Sequence, residues 1–145
     1  MRLDEKTTAL AGLALFRALE PEALHVLAFS ATTQQLKAGE DLFRKGARAD
    51  TGYVVVSGRI GVQATDGAPG EGEVVGPGGL IGVSALLVAG ERPGTALALE
   101  PSRVLVLSQS LMRQVLEAHP ASAAALRAHL AGELASTRQR LAEII

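Results

Sequence analysis

Apolar positions recur at helical spacing near both ends of the chain and alternate over short runs between them, so the pattern predicts helices flanking a β domain. At the N-terminal end it predicts one helix over Thr8 to Phe16 and a second opening at Pro21, with Leu24, Leu27 and Ala28 on one face. Proline suits a first helical turn, where its missing N–H has no partner to lose. From Thr32 to Ser108 the runs shorten to strand length: Thr32 to Leu36, Asp41 to Phe43, Gly52 to Ser57, Arg59 to Ala64, Glu73 to Val75, Thr95 to Leu99 and Arg103 to Leu107. Gly39, Gly46, Gly58 and Gly67 fall between runs, where tight corners need them, and Asp66 to Gly72 reads as a loop. Short, regularly spaced strands predict a mainly β fold, a β-roll or jelly-roll barrel with the helices packed on its outside and its interior as the candidate pocket.

Beyond the strands, Ser108 is placed to cap a helix through Leu111, Val115 and Leu116 that ends before Pro120, and the last helix starts at Ala121. On it Leu130, Leu134, Thr137, Leu141 and Ile144 repeat at spacings of four, three, four and three, the a/d rhythm of a seam that joins two chains. The same stripe can instead cover the barrel of its own chain. Leu126 and Leu130 suit that role, whereas Leu141 and Ile144 lie about 20 Å farther along the helix. The expected layout is therefore one domain over 1–145, with N-terminal helices in 1–30, a β-roll in 31–108 and C-terminal helices in 109–145.

Composition supports this layout and narrows the function. A chain of 145 residues with 48% hydrophobic and 20% charged positions fits one globular domain. Fourteen Lys and Arg against fifteen Asp and Glu leave no basic face for a phosphate backbone, so nucleic-acid binding is not expected, and Arg127, Arg138 and Arg140 read as a solvated helix face. Without cysteine there is no disulfide, thiolate metal site or cysteine nucleophile. The leader MRLDEKTT balances two acids against two bases and no apolar run nears about 20 residues, so neither export nor membrane insertion is expected and the cytoplasm is the default.

Catalysis finds no foothold. His25, His119 and His129 fall on separate helices at no metal-ligand spacing. No serine sits in G-x-S-x-G, and Gly76-Pro77-Gly78-Gly79 lacks the lysine and Ser/Thr of a phosphate-binding P-loop. The chain is expected to be no enzyme and to carry no metal or resident cofactor.

The informative stretch is Gly82 to Ala98, GVSALLVAGERPGTALA: a glycine, a short apolar helix that Ser84 would cap, a loop arginine and a strand beginning at Thr95. That order sets helix N–H groups and a guanidinium around one small space, an arrangement that holds a phosphate. The candidate ligand residues are Gly82, Val83, Ser84, Ala85, Arg92 and Thr95. Read plainly, Gly82 is a turn glycine and Arg92 a solvated loop arginine.

The segment resembles the phosphate-binding cassette of cyclic nucleotide-binding domains, the family of the catabolite activator protein and of protein kinase A regulatory subunits. The resemblance runs from Leu15-Phe16 and the Leu19 to Glu22 helical opening through KAGEDLFRKGARADTGYVVVSGRIGV and VVGPGGLIG to the final helix. It implies a cyclic nucleotide-binding-like β-roll with a short cassette helix, a regulatory role with cAMP or cGMP as ligand, a homodimer through the C-terminal helix and an effector protein that receives the signal. Family members that act on transcription carry a helix-turn-helix after the long helix; this chain stops at Ile145, so direct operator binding is not expected. Two positions depart from the pattern. The glutamate that usually follows the cassette glycine and takes the ribose hydroxyl is Val83, and the residue whose N–H usually meets the phosphate is Pro93, which has none. Losing both contacts implies nucleotide affinity lower by on the order of a hundred- to ten-thousand-fold. It leaves open a dimerisation or interaction module that has lost its ligand, and a changed ligand for a more apolar ribose end.

Overall fold

The computed structural model describes residues 1–63, 73–86 and 89–137, with side chains for all of these except 14, 15, 84 and 130–137. The loop expected over Asp66 to Gly72, the corner at Gly67, the basic residues Arg138 and Arg140 and the seam residues Leu141 and Ile144 lie outside the described residues.

Three helices open the chain: α1 (Leu3–Ala11), α2 (Ala14–Arg17) and α3 (Pro21–Ser30). The single helix expected over Thr8 to Phe16 is thus two, broken where Leu13 turns extended (ψ 129°) behind Gly12, the poorest helix former in the segment after proline is set aside. The early start at Leu3 has its own signal: Asp4 and Glu5 occupy the first turn, where negative charge favours a helix N-terminus.

Ten strands follow: β1 (Thr32–Leu36), β2 (Asp41–Phe43), β3 (Arg48–Ala49), β4 (Thr51–Ser57), β5 (Ile60–Gln63), β6 (Glu73–Val75), β7 (Leu80–Ile81), β8 (Gly90–Glu91), β9 (Thr95–Ala98) and β10 (Ser102–Ser108). They form two four-stranded antiparallel sheets, β1-β10-β4-β7 and β2-β9-β5-β6, with β3 and β8 paired separately. This is the expected β-roll. The expected corners at Gly39, Gly46 and Gly58 have φ of 84°, 87° and 89°, a region glycine enters without a Cβ clash.

The continuous apolar runs in β4 and β10 have a structural cause, because both strands are covered on both faces. Tyr53, Val55 and Val104 point into the roll with Phe43, Ile60, Val62 and Ile81, whereas Val54, Leu105 and Leu107 point outward against Leu10, Phe16 and Leu27 of the N-terminal helices. The helices therefore pack on the outside of the roll. Two helices close the described chain, α4 (Gln109–Ala118) and α5 (Pro120–Thr137). Ser108 caps α4 by accepting the Leu111 N–H at 3.1 Å, and Leu126 of α5 is buried in the helix-side core. The helix α5 carries seam positions Leu130, Leu134 and Thr137 on its described backbone. No helix among the described residues is long and apolar enough to cross a membrane.

Candidate functional site

The strand pairing decides where the cassette sits. Tyr53 of β4 is the register partner of Ile81, so Gly82 begins one residue beyond a strand that lines the interior of the roll. Gly82 has φ 77°, which turns the chain out of β7 and into a single 3-10 turn, Val83–Leu86. Four residues make no helix dipole of useful size, and the Ala85 N–H donates to the Gly82 carbonyl at 3.1 Å. Ala85 is thereby committed to the turn, and its 3% exposure leaves no open amide at that position. Ser84 falls inside the turn, two residues after the capping position at Gly82. Val83 is partly buried against the helix-side core. Leu86 packs on β4 at Gly52, where any Cβ would come within 2.8 Å of its Cγ.

Arg92 is fixed independently of that turn. Its backbone N–H donates to the Ala47 carbonyl and its carbonyl accepts from the Gly46 N–H, both at 2.8 Å. The adjoining pair β3–β8, with Arg48 opposite Glu91 and Ala49 opposite Gly90, extends the clasp. Thr95 belongs to the same clasp, since its Oγ1 accepts the Lys45 N–H at 3.0 Å. The corner at Gly46 thus holds both ends of the arginine loop.

The clasp turns the Arg92 side chain inward, where it is 2% exposed. Its guanidinium carbon lies 4.3 Å from the Phe43 ring centre and 5.6 Å from that of Tyr53. Its Nη2 donates to the Thr51 carbonyl (2.8 Å) and to Thr51 Oγ1 (2.9 Å), and that hydroxyl lies 2.9 Å from the Tyr53 hydroxyl as its donor. The other two guanidinium nitrogens, Nε and Nη1, are buried without a hydrogen-bond partner among the described residues. Burial pushes the Arg92 pKa below the ordinary arginine range, opposed by Tyr53 and the Asp50 carboxylate. Leaving two such donors unpaired is costly, and any acceptor that reached them would relieve that cost.

Arg92 is therefore no solvated loop residue. The structure places Gly82, Val83, Ser84 and Ala85 on one short turn, with Arg92 and Thr95 on a separate clasp, and joins the two groups through Tyr53. Sequence reading missed Phe43, Thr51 and Tyr53. A signal was present: in a chain with three Phe and one Tyr, two aromatics on predicted strands were natural partners for an arginine aimed inward.

A family model described as "Cyclic nucleotide-binding domain" matches residues 33–119, more than half of the chain and all of the roll but its first residue, Thr32. The chain belongs to the cyclic nucleotide-binding domain family. The N-terminal domain of a transcriptional regulator from Streptomyces coelicolor A3(2) superposes with a TM-score of 0.76 at 32% identity, covering 90% of this chain and 95% of that one. A cyclic nucleotide-binding-like protein from Brucella abortus gives 0.66 at 36% identity, over 79% of this chain and 99% of its own. Among curated relatives, the CRP-like cAMP-activated global transcriptional regulator of Mycobacterium tuberculosis is 26% identical over 138 residues, which is 94% of this chain. The chain spans 62% of that regulator's length. In this cyclic nucleotide-binding domain the cassette position after Gly82 is apolar and the position after Arg92 is proline.

Proposed function

We propose that the chain is a regulatory cyclic nucleotide-binding module that takes a cyclic nucleotide or another small anion at Arg92, with affinity weakened by Val83 and Pro93. The observation that carries this reading is the Arg92 side chain, 2% exposed with Nε and Nη1 unpartnered. Both nitrogens are shut off from solvent, so an anion reaches them only when part of their surroundings, such as the turn over Val83–Leu86 or the arginine clasp, moves. Movement of that turn would couple binding to α4, which packs against the turn and against α5. Two chains associating along Leu130, Leu134, Thr137, Leu141 and Ile144 would carry the change to an effector protein, a shift between two arrangements driven by the ligand's differential affinity.

A second reading has its own support: Val83 packs against the helix-side core with an apolar side chain that cannot accept from a ribose hydroxyl, as in a dimerisation or interaction module that no longer binds a nucleotide. Titration of cAMP and cGMP by calorimetry separates them. The sensor reading expects saturable binding in the high-micromolar to millimolar range and tightening by about a hundredfold or more in Val83→Glu with Pro93→Ala. No heat from the parent at millimolar ligand, and none from the double variant, leaves the ligand-free module; binding of inorganic phosphate without either nucleotide points to a changed ligand.

A further inference from the structure

A second concave surface lies away from the roll interior. Beside the core face of α4 that buries Met112 and Val115, the helix presents partly buried Leu116 with Arg113 and Glu117, and α5 meets it with Leu126 and Arg127. Together with Leu86 of the cassette turn they enclose a groove of about 520 Å³, within the range of small-molecule sites. Leucines from three separate elements line it, Leu116 partly exposed and Leu86 and Leu126 almost fully buried beneath it. Its rim carries two guanidinium groups, one from each helix, and one carboxylate. Arg113 and Glu117 are four apart on α4, yet no ion pair forms between them, and Arg127 has none with any described carboxylate. Two cations with no ion pair among the described residues, beside one acid and over an apolar floor, complement a single negative charge on an apolar body.

We propose that this groove binds an amphipathic monoanion, an acyl chain ending in a carboxylate, with the chain on Leu86, Leu116 and Leu126 and the carboxylate held by Arg113 and Arg127. The site is separate from Arg92 and does not depend on whether Arg92 takes a nucleotide. Leu86 nevertheless belongs to both, since one flank of it lines the groove and the other fills the space left by Gly52. Occupancy would hold the cassette turn against the helices, making the groove a second input to the same element.

The test is titration of octanoate into the isotope-labelled full chain, with octanol and octylammonium as neutral and cationic counterparts, followed by NMR at the Arg113 and Arg127 Nε–H and at the amides of residues 86, 116 and 126. Expected are saturable octanoate binding that moves those signals, weaker binding of octanol and none of octylammonium. Arg113→Gln with Arg127→Gln should weaken octanoate about tenfold and leave octanol unchanged. Leu116→Trp, which fills the groove from a partly exposed position, should abolish both. The proposal is overturned by absence of saturation at millimolar octanoate, by equal octanoate affinity in the double glutamine variant, or by shifts confined to the strands of the roll. Saturation by an acidic amphipathic peptide but not by octanoate overturns it too, in favour of a protein partner.

Discussion

Burying a guanidinium removes it from water at a cost of several kcal/mol, and at Arg92 the visible return is two hydrogen bonds to Thr51 and a stack on Phe43 worth about 0.5–2 kcal/mol. Two idle N–H edges subtract from that return. Arg92→Met keeps an unbranched stem to fill the space and deletes the charge, so urea unfolding should place the variant within about 1 kcal/mol of the parent while anion binding is lost. A loss above about 3 kcal/mol would instead mark Arg92 as a structural member of the roll. Gly58 shows the opposite balance. At φ 89°, an added Cβ would lie 2.7 Å from the Pro101 carbonyl oxygen and closer still to Ser102 Oγ, the hydroxyl that donates to the Glu100 carbonyl at 2.8 Å. Gly58→Ala combines backbone strain with overpacking and should cost about 3 kcal/mol in the same measurement.

Among the elements, those with a period were legible and those without one were not. The strands at Thr32–Leu36, Asp41–Phe43 and Glu73–Val75 match the reading from the sequence, because three to five residues with turn residues on either side suffice to define them. β3, β7 and β8 have two residues each, too few for any alternation, and exist only through the partners that tertiary folding brings to them. Those short pieces build the site: β7 delivers Gly82, and β3 with β8 clasps Arg92. The order of glycine, turn, arginine and strand could be read directly, but the pairing of Arg92 with Thr51 spans 41 residues and leaves no local trace. The seat of the cassette turn was equally hidden, since Gly52 counted as one strand residue among several. Its function is room. A Cβ at 2.8 Å from Leu86 Cγ would push this 2% exposed side chain out of its seat, so Gly52→Ala should cost about 1–3 kcal/mol and shift the amide signals of residues 83–86. An alanine that leaves both stability and those signals unchanged would mean that the turn is not held by this contact.

For the whole molecule, the decisive question is what α5 does after its first turns. Its start is tied down: Ser122 Oγ accepts the Glu20 N–H at 2.8 Å, His119 Nδ1 lies 3.1 Å from Glu20 Oε2, and Leu126 is buried one turn later. The 18 residues of α5 span about 27 Å, and these contacts fall on its first two turns, ahead of the stretch from 130 onward. Leucines at 130 and 134, threonine at 137 and the apolar positions 141 and 144 keep a seven-residue rhythm through that stretch, which a solvated helix has no reason to keep. If the stripe joins two chains, light scattering gives the parent twice the mass of one chain, and Leu134→Glu, which places like charges across the seam, gives half the parent's mass with its circular dichroism retained. If the stripe serves its own domain instead, parent and variant share a monomeric mass and the variant loses thermal stability. The first outcome makes α5 both the dimer contact and the output of the cassette, so a ligand that moves the Val83–Leu86 turn acts on two chains at once. Its binding curve should then steepen above a Hill coefficient of one in the parent and return to one in Leu134→Glu.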